Sequence, residues 1–212
     1  MLEDGRLCGR VIAIIGGCGH VGLPLGVKLA LAGASVRLVD LNQEAVDRVN
    51  SGRFPFIESG GDEQLRAALA RDLKATTSAE ACAAADVLIF VTGTPVDEHL
   101  NPKLSEVLRV FSLYEPHVHA GKLIILRSTL FPGTMEHLRE RVARTHPGLR
   151  IAFCPERVSQ GYALDEIDSL PQIVSAFDDE SFDAAAEIFG ALAPSIVKLT
   201  PLEAELCKLM AN

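Results

Sequence analysis

The stretch "RVIAIIGGCGHVGLPLGVKLALAG", Arg10–Gly33, decides the fold. An apolar run, "VIAII", ends in glycines and passes straight into apolar residues at helical spacing, which is a strand, a tight loop and a helix in succession. Gly17, Gly19 and Gly22 hold the GxGxxG spacing. That spacing alone is weak evidence. Here a strand precedes it, a helix follows it, and the next strand, Ser35–Asp40, closes on an acid, so the pattern is specific for a dinucleotide. Gly17 allows the turn, Gly19 lets backbone reach a pyrophosphate, and Gly22 lets the helix pack on the sheet. Asp40 is placed to take hydrogen bonds from an adenosine ribose and to repel a 2′-phosphate, which favours NAD over NADP. The competing reading is a ligand-free glycine turn with Asp40 as a cap. Stabilisation by NAD but not NADP separates the two.

Outward from this unit the same alternation continues. Strands are expected near Val11–Gly16, Ser35–Asp40, Lys74–Thr77, Val87–Thr92, Leu123–Arg127, Ile151–Phe153, Gln172–Ser175 and Ile196–Leu199. Helical periodicity falls around 20–32, 42–50, 61–70, 79–84, 104–117, 132–145, 179–192 and 201–212. Such a pattern predicts an α/β fold, a Rossmann-like doubly wound parallel sheet with helices on both faces. Asn42 and Thr200 read as N-caps, Pro132 and Pro201 as first-turn prolines, and Gly33 and Gly52 as residues that close helices. The irregular stretches 52–60, 93–103 and 154–171 are the loops expected to carry function.

Composition narrows the partners. With 212 residues and 48% apolar content the chain can bury a sizeable core. A net charge of −8 argues against a nucleic-acid or anionic-lipid surface. The apolar runs are far shorter than the roughly 20 residues that cross a bilayer, and "MLEDGRLCGR" lacks the apolar core of a secretory signal. Five scattered cysteines without a Cys-x-x-Cys pair read as reduced thiols of a cytoplasmic protein. Of these, Cys18 is expected to give the loop a backbone N–H and no thiol chemistry, and Cys154 to pack at a strand end. His117 and His119 lack further ligands at usable spacing, so no metal site is expected.

Further cofactor contacts belong at the carboxyl ends of later strands. "IFVTGTPVDEHLNPKL" leaves a strand at Gly93, Thr94 and Pro95, and "IILRSTLFPGT" leaves another at Arg127, Ser128 and Thr129. Small hydroxyl residues there can bond a ribose or a nicotinamide amide, although turn chemistry explains them almost as well.

In order along the chain, "IGGCGHVGLPLG", "VDLNQEAVDRVNSG", "TGTPVDEHLNP", "RSTLFPGT", "FCPERVSQG" and "EAELCKLMAN" resemble the motifs of the UDP-glucose/GDP-mannose dehydrogenase family. The form "PERV" is more similar to the branch acting on UDP-N-acetylhexosamines such as UDP-N-acetylmannosamine than to the UDP-glucose branch. The resemblance implies oxidation of a sugar C6 alcohol to a carboxylate with two NAD+. It implies NAD contacts from Gly17, Cys18, Gly19, His20, Val21, Gly22, Asp40, Thr94, Pro95, Ser128 and Thr129. It places Lys208, Asn212, Glu156 and Thr129 in catalysis, and Glu156, Arg157, Val158, Lys208 and Asn212 against the UDP-sugar. Lys208 and Asn212 lie one helical turn apart, with Glu205 beside them, next to an apolar arc of Leu202, Leu206, Leu209 and Met210. An ammonium and an amide suit a developing alkoxide, and Glu156 suits proton transfer through water.

Three departures stand against the resemblance. Gln160 replaces a second glutamate. Ala45 replaces a basic residue after the ribose-binding acid, leaving Arg48 as the substitute if helix geometry permits. No cysteine lies in the glycine-rich motif that carries the family's second oxidation. The expected organisation is therefore a NAD-binding domain over 1–199 and, over 200–212, the start of a linking helix, with the C-terminal domains absent, homodimerisation a property of the full-length protein, and the fragment alone inactive. A non-catalytic NAD-binding regulatory domain shares every cofactor feature. A short-chain dehydrogenase does not fit, because Tyr114 and Tyr162 are followed four residues on by Val118 and Glu166 rather than lysine.

Overall fold

In the computed structural model, residues 5–91, 93 and 104–210 are described, the side chains of 104–106 excepted. The elements run β1 Val11–Ile15, α1 Gly22–Leu31, β2 Ser35–Val39, α2 Gln43–Asn50, α3 Gly61–Leu69, β3 Leu73–Thr76, β4 Val87–Phe90 and α4 Leu104–Tyr114. They continue with β5 Leu123–Leu126, α5 Thr134–Thr145, β6 Arg150–Phe153, α6 Ala163–Ser169, β7 Gln172–Ala176, α7 Asp179–Gly190, β8 Ile196–Leu199 and α8 Pro201–Met210. Among the described residues the strands form one sheet in the order β3-β2-β1-β4-β5-β6-β7-β8. The order reverses between β1 and β4, and the carboxyl ends there open a crevice, the usual ligand position of such sheets.

Six strands run parallel as expected; β7 does not. It pairs antiparallel with β6, and β8 runs parallel to β7. The reason lies in the connection. Gln172, the first residue of β7, returns to donate from Nε2 to the Pro155 carbonyl at 3.3 Å, just past the end of β6. A strand that enters the sheet where its predecessor leaves must run the opposite way.

Strand pleating sorts the core into two layers. Ile12 and Ile14 of β1 join α1, α2, α3, α6 and α7 on one face, while Ala13 and Ile15 meet α4, α5 and α8 on the other. Each fully buried Leu, Ile or Val side chain stabilises the fold by about 1.5–3 kcal/mol relative to exposure.

Most local signals hold. Asn42 Oδ1 accepts from Ala45 N at 3.2 Å and caps α2, and Thr200 with Glu203 forms a reciprocal capping box at α8, which opens on Pro201. Gly33 and Gly52 directly follow the C-cap residues of α1 and α2. Three readings change. Residues 79–82 form a 3-10 turn instead of an α-helix, and α6 forms inside the stretch 154–171 expected to be irregular. Pro132 precedes α5 without joining its first turn, because Gly133 intervenes as N-cap with φ +89°.

Candidate functional site

The glycine loop is held by backbone and by Asp40. Oδ2 of Asp40 accepts from Cys18 N at 3.0 Å and Oδ1 from Asn42 N at 3.0 Å. Asp40, expected to accept from an adenosine ribose, accepts here from these two backbone amides. The Cys18 amide, expected to face a phosphate, instead serves Asp40, which leaves the amides of His20, Val21 and Gly22 at the start of α1 to face an anion. The turn itself also differs. Gly16, not Gly17, takes the left-handed conformation at φ +78°.

The three motif glycines are required for different reasons. A Cβ on Gly17 would lie 2.8 Å from the Leu38 Cα, and one on Gly22 would lie 2.6 Å from the Gly16 carbonyl oxygen. Both clashes are with main chain. A Cβ on Gly19 would meet nothing nearer than Gly16 O at 3.6 Å, an ordinary contact. The protein therefore does not need a glycine at 19, whereas a phosphate seated against that backbone does, so the loop fits the pyrophosphate of NAD. The thiol of Cys18 is pushed up to about 12 by burial and then by the Asp40 charge, which leaves it inert as expected. The His20 ring lies on Phe56 with centroids 3.9 Å apart. Arg48 donates to the Phe54 carbonyl at 3.2 Å, into the 52–60 loop.

Beyond the loop, a cleft of about 300 Å³ opens at the carboxyl ends of β4, β5 and β6, lined by Val21, Gly93, Ser128, Thr129, Val158 and the charged trio Arg127, Glu156 and Lys208. Arg127 is 2% exposed. Its guanidinium bonds Glu156 Oε2, Gln172 Oε1 at 3.0 Å and the Cys154 carbonyl at 3.4 Å, and it stacks 4.8 Å from the Phe189 ring centre. The other oxygen of Glu156 accepts from the amides of Arg157 at 2.6 Å and Val158 at 3.0 Å. Burial pushes the Glu156 carboxyl up, but the charge and hydrogen bond of Arg127 and the two amides outweigh it and hold the acid below its ordinary range. It is an ionised carboxylate with both oxygens engaged. Lys208 is pushed down, first by burial and then by Arg127 and Arg157, with Glu156 opposing.

The structure brings together Val21, Ser128, Thr129, Glu156, Val158 and Lys208. It does not bring Arg157 into that group, whose Nη1 donates to the Pro171 carbonyl at 3.4 Å. Gln160 lies in an adjoining depression with His20, Ile57, Glu58 and Tyr162. Thr94, Pro95 and Asn212 lie outside the described residues. On α8, Leu202, Leu206 and Met210 are exposed, while Glu205 is 1% exposed. Sequence reasoning missed Glu205, Gln172 and the buried pairing of Arg127. The available signal was a charged residue ending the four-residue apolar run "LIIL".

A glycine loop closed by a strand-end carboxylate, leading into a cleft lined by hydroxyls and a lysine, defines a dinucleotide-binding α/β domain of the dehydrogenase type. Residues 10–193 match the NAD binding domain of the UDP-glucose/GDP-mannose dehydrogenase family, and the chain belongs to that family. It is 31% identical over 217 residues to an NDP-N-acetyl-D-galactosaminuronic acid dehydrogenase of Ralstonia nicotianae, covering 96% of this chain and 50% of that protein. It is 31% identical over 209 residues to a UDP-N-acetyl-D-mannosamine dehydrogenase of Methanocaldococcus jannaschii, covering 96% and 48%. The UDP-D-ManNAc dehydrogenase structure from Pyrococcus horikoshii superposes with a TM-score of 0.88 at 27% identity, over 95% of this chain and 49% of that one. The chain thus spans about half the length of the relatives it matches. Its cofactor is NAD.

Proposed function

We propose that this chain supplies the NAD-binding and alcohol-oxidising part of a nucleotide-sugar 6-dehydrogenase, acting on a UDP-N-acetylhexosamine such as UDP-N-acetylmannosamine. Residues 1–199 form the NAD-binding domain, and 200–212 begin a helix linking to the remainder of a homodimeric cytoplasmic enzyme. Its uronate product would feed polysaccharide biosynthesis. No nucleic acid takes part, and among the described residues no helix is long and apolar enough to cross a membrane. The observation that carries the reading is the meeting of Ser128, Thr129, the ionised Glu156 and Lys208 in one cleft that opens beside Val21 of the glycine loop.

NAD, when bound, supplies the acceptor for the hydride leaving C6. The protein's own residues handle the rest. Ser128 and Thr129 orient the reacting groups, and Lys208 stabilises the negative charge that grows on the C6 oxygen as its proton leaves, a role the motif resemblance extends to Asn212. A lysine whose ammonium is already disfavoured by burial and by Arg127 and Arg157 gains most from such an oxyanion. Glu156 cannot donate a proton near neutrality. Its carboxylate instead fixes the main chain at 157 and 158, where the sugar is contacted, and accepts through water. Calorimetric titration of this chain should show NAD binding and NADP none; absence of both would sink the reading. Binding of NAD without sugar oxidation after the family's remaining half is supplied would favour a regulatory domain instead.

A further inference from the structure

Glu205 sits on α8, three residues before Lys208, and is almost wholly buried. Buried glutamates need partners. Those of Glu205 come from another helix. Oε2 accepts from Gly133 N at 2.7 Å and Oε1 from Met135 N at 2.8 Å. These amides stand at the first turn of α5, where N–H groups lack an intrahelical acceptor and the helix end favours a negative charge. Gly133, the N-cap residue of α5, makes no side-chain cap hydrogen bond. The cap is thus delivered by α8, from a residue 72 positions along the chain.

The placement matters because each helix carries one wall of the cleft. α5 starts directly after the segment that presents Ser128 and Thr129, while α8 presents Lys208. Besides this contact, α8 is held by Ala204 and Cys207 against the second core layer. Its buried residues are Pro201, Ala204 and Glu205, and Leu202, Leu206 and Met210 are exposed. Nothing buried lies beyond Glu205 among its described residues. We infer that Glu205 is a positioning residue, a strut between α8 and α5 that sets Lys208 against Ser128 and Thr129 and so assembles the reactive end of the cleft. The catalytic meaning of that arrangement rests on the function proposed above, whereas the strut itself does not.

The test reads the surroundings of Lys208 directly. Lysines of this chain are labelled by reductive 13C-methylation, the Lys208 signal is assigned with Lys208→Arg, and its titration is followed by NMR. The charges acting on Lys208 are those of Glu156, Arg127 and, from outside the cleft lining, Arg157. In the wild type Lys208 should titrate below the ordinary lysine value. Glu205→Ala should move it up to the ordinary lysine value of about 10.4, and Glu205→Gln, which keeps the shape and one acceptor, should move it part of the way. A folded Glu205→Ala protein with an unmoved Lys208 titration overturns the inference. If that variant does not fold, the wild type decides: the amides of Gly133 and Met135 should exchange on the order of 100-fold slower than free peptide, and unprotected amides overturn the strut. NAD titrations run in parallel keep the two readings apart, since a wild type that fails to bind NAD removes the proposed function and leaves the lysine result readable.

Discussion

The two ends of the cleft are built on opposite principles. The glycine-loop end is made from main chain and missing side chains, all within one βαβ unit, with Gly16, Gly17 and Gly22 shaping a turn that Asp40 ties shut. The far end is made from charged and polar side chains gathered from four separate segments: Arg127 after β5, Glu156 after β6, Gln172 opening β7, and Glu205 with Lys208 on α8. At the first end, atoms added at Gly17 or Gly22 meet main chain. At the second, loss of Arg127 strands a buried carboxylate.

The largest effect should come from Arg127→Met. It leaves the Glu156 carboxylate buried with its two amide donors and without the guanidinium bonded to it, and removing one member of a buried pair costs about 3–5 kcal/mol. Urea denaturation near neutral pH measures it; a loss below 1 kcal/mol would mean the pair is not closed in solution. Next comes a contrast within the motif. Gly22→Ala forces main chain apart and should destabilise by about 1–3 kcal/mol while abolishing NAD binding. Gly19→Ala should leave the melting temperature nearly unchanged and weaken NAD binding at least about tenfold, because only the ligand needs that space. Equal losses of stability in both variants would contradict the division of labour drawn here.

This contrast also explains what the sequence made legible. The glycine end could be read because its determinants are local: periodicity 2, then a loop, then periodicity 3.6, then an acid. Every strand and most helices followed from the same patterning. The exceptions have physical causes. The direction of β7 depends on where Gln172 returns, a tertiary fact carried by one hydrogen bond to Pro155. Burial of Glu205 was not legible in the sequence of α8, since a helical wheel cannot know that an uncapped helix end lies opposite. Ser128 and Thr129 follow from their place at a strand's carboxyl end, Lys208 and Glu156 from the motif resemblance, and all four line one cleft. The ionised, fully bonded state of Glu156 was invisible in sequence because Arg127 reaches it only across the sheet.

The charged end should further reveal itself through pH, with two effects of unequal size. Glu156 is held below its ordinary range in the folded state, so the unfolded chain binds its proton first as acid is added. The stability it contributes is complete above the unfolded glutamate value of about 4.3 and is lost as pH falls through the lower folded value. Asp72, paired with Arg37, behaves alike, so the informative quantity is the difference between wild type and Glu156→Gln. The wild type should lose stability faster on acidification; parallel curves would show Glu156 to be neutral at the start. Lys208 has the opposite character. Its folded value is depressed, so the ammonium opposes folding at neutral pH, and that opposition fades as pH rises toward the unfolded value near 10.4. The lysine is half-exposed and solvent screens it, so Lys208→Met should change neutral stability by no more than about 0.5 kcal/mol, in the stabilising direction. A residue whose removal relieves the fold while emptying the cleft of its only lysine among the described residues is placed there by chemistry rather than by packing, and a clear loss of stability in this variant would instead mark Lys208 as part of the scaffold.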